Sequence, residues 1–141
     1  MSFFGLPHAS DKVLDPKIDI RSFYQEGQQL MNEERWFTAE ARFRQVLAVS
    51  PGHGLARAHR AICLFNMSRE GEAVREAEKA VLSCPRESYT HFALGVVRHA
   101  TGKLKQAEKS VSRALRMDPG NLCYQRRLDE IESQIQFVKK R

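Results

Sequence analysis

Five histidines and three cysteines are the residues of this chain best suited to metal binding or nucleophilic chemistry, and their spacing argues against both. Cys63, Cys84 and Cys123 are an odd number, far apart, with no CxxC pair and no His/Cys cluster, so neither a zinc site nor a disulfide framework is expected. His8, His53, His59, His91 and His99 lack ligand-spaced partners. There is no glycine-rich phosphate loop, no HExxH and no nucleophile elbow. No catalytic residue, metal or cofactor is expected, and the function to look for is binding. One charged feature is periodic: Lys105, Lys109, Arg113 and Arg116 recur at four, four and three residues, which aligns them on one helix face. With Lys139, Lys140 and Arg141 they could meet nucleic acid or an acidic surface. No aromatic residue is interleaved for base stacking, so nucleic acid is disfavoured and a solvated helix face is the simpler reading.

Those residues must be carried by a small number of elements. The chain has 141 residues, the size of one domain, and its 42% hydrophobic content can build a core. No apolar run approaches the roughly 18–20 residues that cross a bilayer. "MSFFGLPHASDK" has no basic start and no long apolar run, so no secretory signal is read there. A cytoplasmic protein with reduced thiols is expected. The net charge of +6 is uneven, with six basic against two acidic residues in 88–121. That bias favours acidic partners and says nothing of the fold.

The organisation emerges from three prolines, Pro51, Pro85 and Pro119, spaced 34 residues apart. Aligned on them, Ala39, Ala73 and Ala107 fall together, as do Phe43, Ala77 and Val111. The same holds for Val46, Ala80 and Ala114, for Leu47, Val81 and Leu115, and for Gly27, Ala61 and Gly95. Small residues recur where two helices must come close, and larger apolar residues one helical turn away. Proline recurs where a second helix has ended, because it cannot continue a helix interior. "LGVVRHATGKLKQAEKSVSRALRMDPGN" (94–121) and "RWFTAEARFRQVLAVSP" (35–51) carry this pattern best. In it the chain resembles the tetratricopeptide repeat (TPR) family.

The resemblance implies an all-α fold: a right-handed α-α superhelix of three helix pairs with a C-terminal capping helix, held by stacking of neighbours. The expected organisation is an N-terminal extension over 1–15, repeats within 16–121 (about 20–53, 54–87 and 88–121), and a capping helix over 122–141. First helices are expected near 16–33, 54–67 and 88–101, and second helices near 36–49, 70–83 and 104–117. Asp15-Pro16 reads as an N-cap and first-turn proline, which would start the first helix early. In the last segment Leu122, Leu128, Ile131, Ile135 and Val138 define the expected packing face, with Asn121 as cap.

The resemblance also implies a ligand surface lined by the first helix of each pair. By helical phase its candidates are Arg21, Tyr24, Gln28 and Met31, then Leu55, Ala58, His59, Ile62, Phe65 and Asn66, then Tyr89, Phe92, Val96 and His99. An apolar or amphipathic peptide segment of another protein is the expected partner, and an adaptor, scaffold or chaperone-like holder the expected role. A narrower alternative is a type III secretion-type translocator chaperone. Another is a binder of nucleic acid or acidic surfaces through the basic C-terminal half. Some family members grip chaperone C-termini with a lysine–asparagine clamp. Tyr24, Gln28, His59, Tyr89 and Ala93 stand at the matching positions, so that mode is not expected here.

Two features depart from the pattern. Arg57 and Arg60, like His91 and Arg98, stand where the family has large apolar or aromatic residues, and an unpaired buried guanidinium would cost several kcal/mol. Arg57 and Arg60 must snorkel to water or pair with acids such as Glu40 or Glu72. "FFGLP" (3–7) carries two phenylalanines on a tail, which suits docking on the fold, on a partner, or on a second copy by self-association.

Overall fold

The computed structural model describes residues 19–141. Seven helices account for them: α1 (Ile20–Asn32), α2 (Trp36–Val49), α3 (Gly54–Asn66), α4 (Glu70–Ser83), α5 (Ser88–Ala100), α6 (Leu104–Met117) and α7 (Leu122–Lys139). Successive helices pack antiparallel as the pairs α1/α2, α3/α4 and α5/α6, and α7 closes the end against α6. First helices also touch the first helices of neighbouring pairs, α3 lying against α5. This makes an inner layer of α1, α3 and α5 and an outer layer of α2, α4 and α6.

The register of small and large residues explains the pairing. Ala39, Ala73 and Ala107 are wholly buried, as are Phe43, Ala77 and Val111, and Val46, Ala80 and Ala114. A methyl group at Gly27 would lie 2.7 Å from the Phe43 ring, and one at Gly95 would collide with Val111. The large partner in each of those two pairs therefore requires glycine opposite it. Where the middle pair has the small Ala77 instead, Ala61 is accommodated. Turns within the pairs reuse one left-handed backbone position, at Glu34 (φ 59°), Ser68 (φ 63°) and Gly102 (φ 83°). Only the last is occupied by the residue type that adopts it without steric cost.

The starts of α1, α3 and α7 are capped by side chains. Asp19 accepts from the Arg21 amide, His53 Nδ1 from the Ala56 amide at 3.1 Å, and Asn121 Oδ1 from the Tyr124 amide at 3.1 Å. The Asp19 cap corrects the early start expected from Asp15-Pro16: Asp19 is extended, and α1 begins at Ile20. Asp15, Pro16 and the FFGLP segment lie outside the described residues. The packing face of α7 also differs from expectation. Tyr124, Leu128, Ile131 and Ile135 are buried, while Leu122 and Val138 are 76% and 58% exposed. The steps of four, three and four from Tyr124 follow a helix stripe, which the step of six from Leu122 does not. Val138 belongs to the end of an 18-residue helix packed on a 14-residue one.

Candidate functional site: an aromatic inner strip and two unlike outer clefts

The inner layer brings aromatic side chains from four helices into one continuous row. Tyr24 on α1 meets the His59 ring edge-on at 5.5 Å, and His59 on α3 meets Tyr89 on α5 at 4.4 Å. Tyr89 lies 6.0 Å from Phe92, which stacks on Tyr124 of α7 at 4.6 Å. Phe43 stacks under His59 at 5.2 Å, and His53 lies 5.1 Å from Tyr24. Offset and edge-on ring pairs of this kind each contribute about 0.5–1.5 kcal/mol beyond their burial.

The row is dry enough to move titrations. Burial, reinforced by His53, lowers the His59 imidazole to about 4, and its Nδ1 is buried without a partner. Burial raises the Tyr24 phenol to about 12 and raises Tyr89 as well. These rings are thus neutral at neutral pH and present no charge to a ligand.

Of the expected inner residues, the structure joins Tyr24, His59, Tyr89 and Phe92 directly. Ala58 and Phe92 are buried, so they serve packing and offer little surface. Met31 packs with Tyr24 around Leu30 and Phe43, Ile62 with Tyr89 around Ala58 and Ala93, and Val96 around Phe92 and Val111. Phe65 covers Leu64, Ala73 and Val97 near the far end of α3. Leu55 and Gln28 are half-buried, and Asn66 is exposed and turns back to the Ile62 carbonyl at 2.9 Å. His99 is held by Gln134 of α7 at 2.9 Å. The sequence reading missed Phe43, His53 and Tyr124 as members of the row. The 34-residue register places Tyr124 beyond the last repeat, where only its i, i+4 relation to Leu128 marks it.

Of the departing residues, Arg57 and Arg60 resolve into a charge network between the first and second pairs. Arg60 Nε donates to Glu40 at 2.8 Å and its Nη1 reaches Glu76 at 3.0 Å. Arg57 Nη1 also reaches Glu76 at 3.0 Å, and Arg57 Nη2 donates to the Pro51 carbonyl at 3.0 Å. Glu40 and Glu76 are buried, and at their exposed edge Arg44 and Lys79 join the same two carboxylates at 3.2 and 3.7 Å. Glu40 was foreseeable as a partner. Glu72 is engaged by Arg69, its own i−3 neighbour, at 2.7 Å.

The cleft between the second and third pairs is built differently. A cavity of about 560 Å³ opens on the outer face between α4, α5 and α6. Val81 and Leu94 contribute apolar wall, and Arg98, Lys109, Arg113 and Arg116 contribute charge. Of the strip read from the sequence, Lys109, Arg113 and Arg116 line this cavity, and Lys105 instead pairs with Glu108 at 3.9 Å. Among the described residues, no group of three His, Cys, Asp or Glu side chains is arranged to hold a metal ion, and no helix is long and apolar enough to cross a membrane.

Stacked antiparallel helix pairs with small-residue contacts define an α-solenoid. No protein-family model matches the chain. Among solved structures it is similar to the TPR domain of Sgt2 from Aspergillus fumigatus, with a TM-score of 0.80 at 18% identity over 96% of this chain and 89% of that one. It is similar to the first TPR domain of human RPAP3, with a TM-score of 0.77 at 18% identity over 86% and 95% of the two chains. It is similar to the first TPR of Spaghetti (RPAP3) bound to an HSP90 peptide, with a TM-score of 0.72 at 19% identity over 83% and 93%. The fold of this chain is the tetratricopeptide repeat, three helix pairs with a capping helix.

Proposed function

We propose that the chain is a non-enzymatic protein-interaction module, an adaptor, scaffold or chaperone-like holder, that receives an apolar or amphipathic peptide segment on its inner layer. The observation that carries this reading is the continuous ring row from Tyr24 through His59 and Tyr89 to Phe92 and Tyr124, neutral and spanning all the stacked units. Half-buried Met31, Leu55, Ile62 and Phe65 flank that row with partial apolar surface left to cover. The Spaghetti domain holds an HSP90 peptide, SRMEEVD, and the second human RPAP3 domain an HSP70 peptide, SGPTIEEVD, so peptide capture has precedent on this fold. Here no cation stands at the Tyr24, Gln28, His59, Tyr89 and Ala93 positions that would meet such an acidic terminus. Apolar side chains are therefore the better-matched ligand groups. Three or four anchors at about 1.5–3 kcal/mol each, less ordering costs, correspond to roughly micromolar affinity.

The test uses a labelled amphipathic helical peptide and the full chain. Phe65→Glu and Met31→Glu should each weaken binding about tenfold, equivalent to about 1.4 kcal/mol, with the circular dichroism spectrum unchanged. Phe92→Glu is not a clean probe, because Phe92 stacks on Tyr124 in the core. Equal binding by wild type and both surface variants would remove the inner layer as the ligand site.

A further inference from the structure

The 34-residue register exposes an asymmetry in the outer layer. One position pair recurs on the first and second helices of each repeat. In the first pair it is Glu26 and Arg42, joined at 2.7 Å. In the second it is Arg60 and Glu76, with the signs exchanged, joined at 3.0 Å. In the third it is Leu94 and Ser110, which form no ion pair. Ser110 Oγ instead accepts from Arg98 Nη1 at 2.9 Å, and Arg98 replaces the buried Leu64 of the preceding repeat. Relative to the second pair, the third has therefore lost the carboxylate of Glu76 and the guanidiniums of Arg57 and Arg60, and holds Arg98 without a carboxylate beside it. The cavity bordered by Val81 and Leu94 lies there, with Lys109, Arg113 and Arg116 around it. Among the described residues, none of Arg98, Lys109, Arg113 and Arg116 is in a salt bridge. The single lining carboxylate, Glu108, leans on Lys105. His91, at the position of Arg57, is committed to the Pro85 carbonyl at 2.7 Å.

We propose that this outer cleft binds an acidic peptide segment of a partner protein, with carboxylates at alternate residues pairing with the α6 cations and an apolar side chain against Val81 and Leu94. Four cations facing one carboxylate leave a net positive cleft whose cations are in no salt bridge among the described residues, and a cleft focuses that field. Along α6, Lys109 and Arg113 are about 6 Å apart and Arg113 and Arg116 about 4.5 Å apart by helical rise. Alternate side chains of an extended peptide recur every ~6.6 Å, so successive carboxylates of one strand can each meet a cation. A volume of about 560 Å³ exceeds what a lone inorganic anion fills and suits several side chains. The apolar wall and the absence of any exposed aromatic ring in the lining favour a peptide over single-stranded nucleic acid. Arginine supplies bidentate carboxylate contacts, which the lysines supplement as point charges. The site is separate from the inner layer and stands or falls independently of it.

The experiment measures fluorescence anisotropy of a short labelled peptide of alternating Glu and Ala with the full chain at low salt. Added salt should weaken the complex. Arg113→Gln should cost about tenfold in affinity, whereas Lys105→Gln, outside the cavity, should change it by less than about twofold. Ser110→Glu gives the third repeat the acid found at position 76 in the second; it should neutralise Arg98 and abolish binding with the urea midpoint retained. If that variant fails to fold, Arg113→Gln at an exposed position carries the test. The proposal is overturned if the Glu–Ala peptide does not bind, or if Lys105→Gln costs as much as Arg113→Gln, which marks a diffuse field. Tighter binding of a charge-matched oligonucleotide, or displacement of the peptide by inorganic phosphate at equal charge concentration, overturns it as well.

Discussion

The second and third helix pairs share a backbone plan and solve the same packing problem with opposite chemistry. In the α3/α4 pair, cations enter the interface and are met there by Glu40 and Glu76, so charge is consumed inside the fold. In the α5/α6 pair the corresponding positions are His91, Leu94 and Ser110, and the basic residues of α6 are left at the rim of a cavity. Burying an ion pair costs desolvation of both partners, so the first arrangement contributes little net stability but is costly to break. The second arrangement avoids that cost and keeps charge available to something outside the chain. A repeat array can thus assign structural and binding roles to equivalent positions in neighbouring units, because each unit needs only its stacking residues to persist.

The sharpest way to break the contrast is Glu76→Ala. It leaves Arg57 and Arg60 short of their shared partner and should destabilise the chain by about 3–5 kcal/mol. Ser110→Ala, at the equivalent site, removes one hydrogen bond and should cost about 1 kcal/mol. Urea denaturation of the two variants side by side decides it. Equal losses would show that the acids of the second pair are not essential to it.

A smaller effect separates His59 from its counterpart Ala93. The folded imidazole titrates at about 4, below its ordinary value of 6.5, so the unfolded chain binds the proton first. Stability contributed by neutral His59 is complete above pH 6.5 and is lost as pH falls toward 4, up to about 3 kcal/mol in all. His59→Leu should flatten this slope in urea midpoints taken across that window. An unchanged slope would place the pH dependence elsewhere.

The least effect concerns the turns. Ser68 and Gly102 hold the same left-handed backbone, and glycine adopts it without the steric cost of a side chain. Ser68→Gly should raise stability by about 0.5–1 kcal/mol, and Gly102→Ala should lower it by a similar amount. Thermal melts of both variants measure this directly. A loss for Ser68→Gly would mean that the entropy glycine adds to the unfolded chain exceeds the strain it relieves.

Much of this was legible from spacing. Ala39, Ala73 and Ala107, and the residues four and seven positions beyond each, are buried because the 34-residue period dictates which positions stack, whatever the surface does. The solvent-facing half of the α6 strip was legible for the same reason, since four, four and three residues trace one helix face. The sequence did not reveal that Lys105 leaves the strip while Arg98 joins it from another helix, because strip membership depends on the approach of α5 to α6. Glu76 was likewise missed as the partner of both arginines. The chain separates it from Arg57 by 19 residues, and only the antiparallel return of α4 brings the carboxylate within 3.0 Å.

The sequence by itself therefore determined the periodic part of this protein: three helix pairs, their small-residue contacts, and the proline-marked ends. These follow from local conformational preference and from apolar periodicity, which each segment carries within itself. Tertiary structure alone decided which charges are spent and which remain. Ion pairing falls off over a few ångströms, and the distances that matter lie between helices, set by how closely glycine and alanine let them approach.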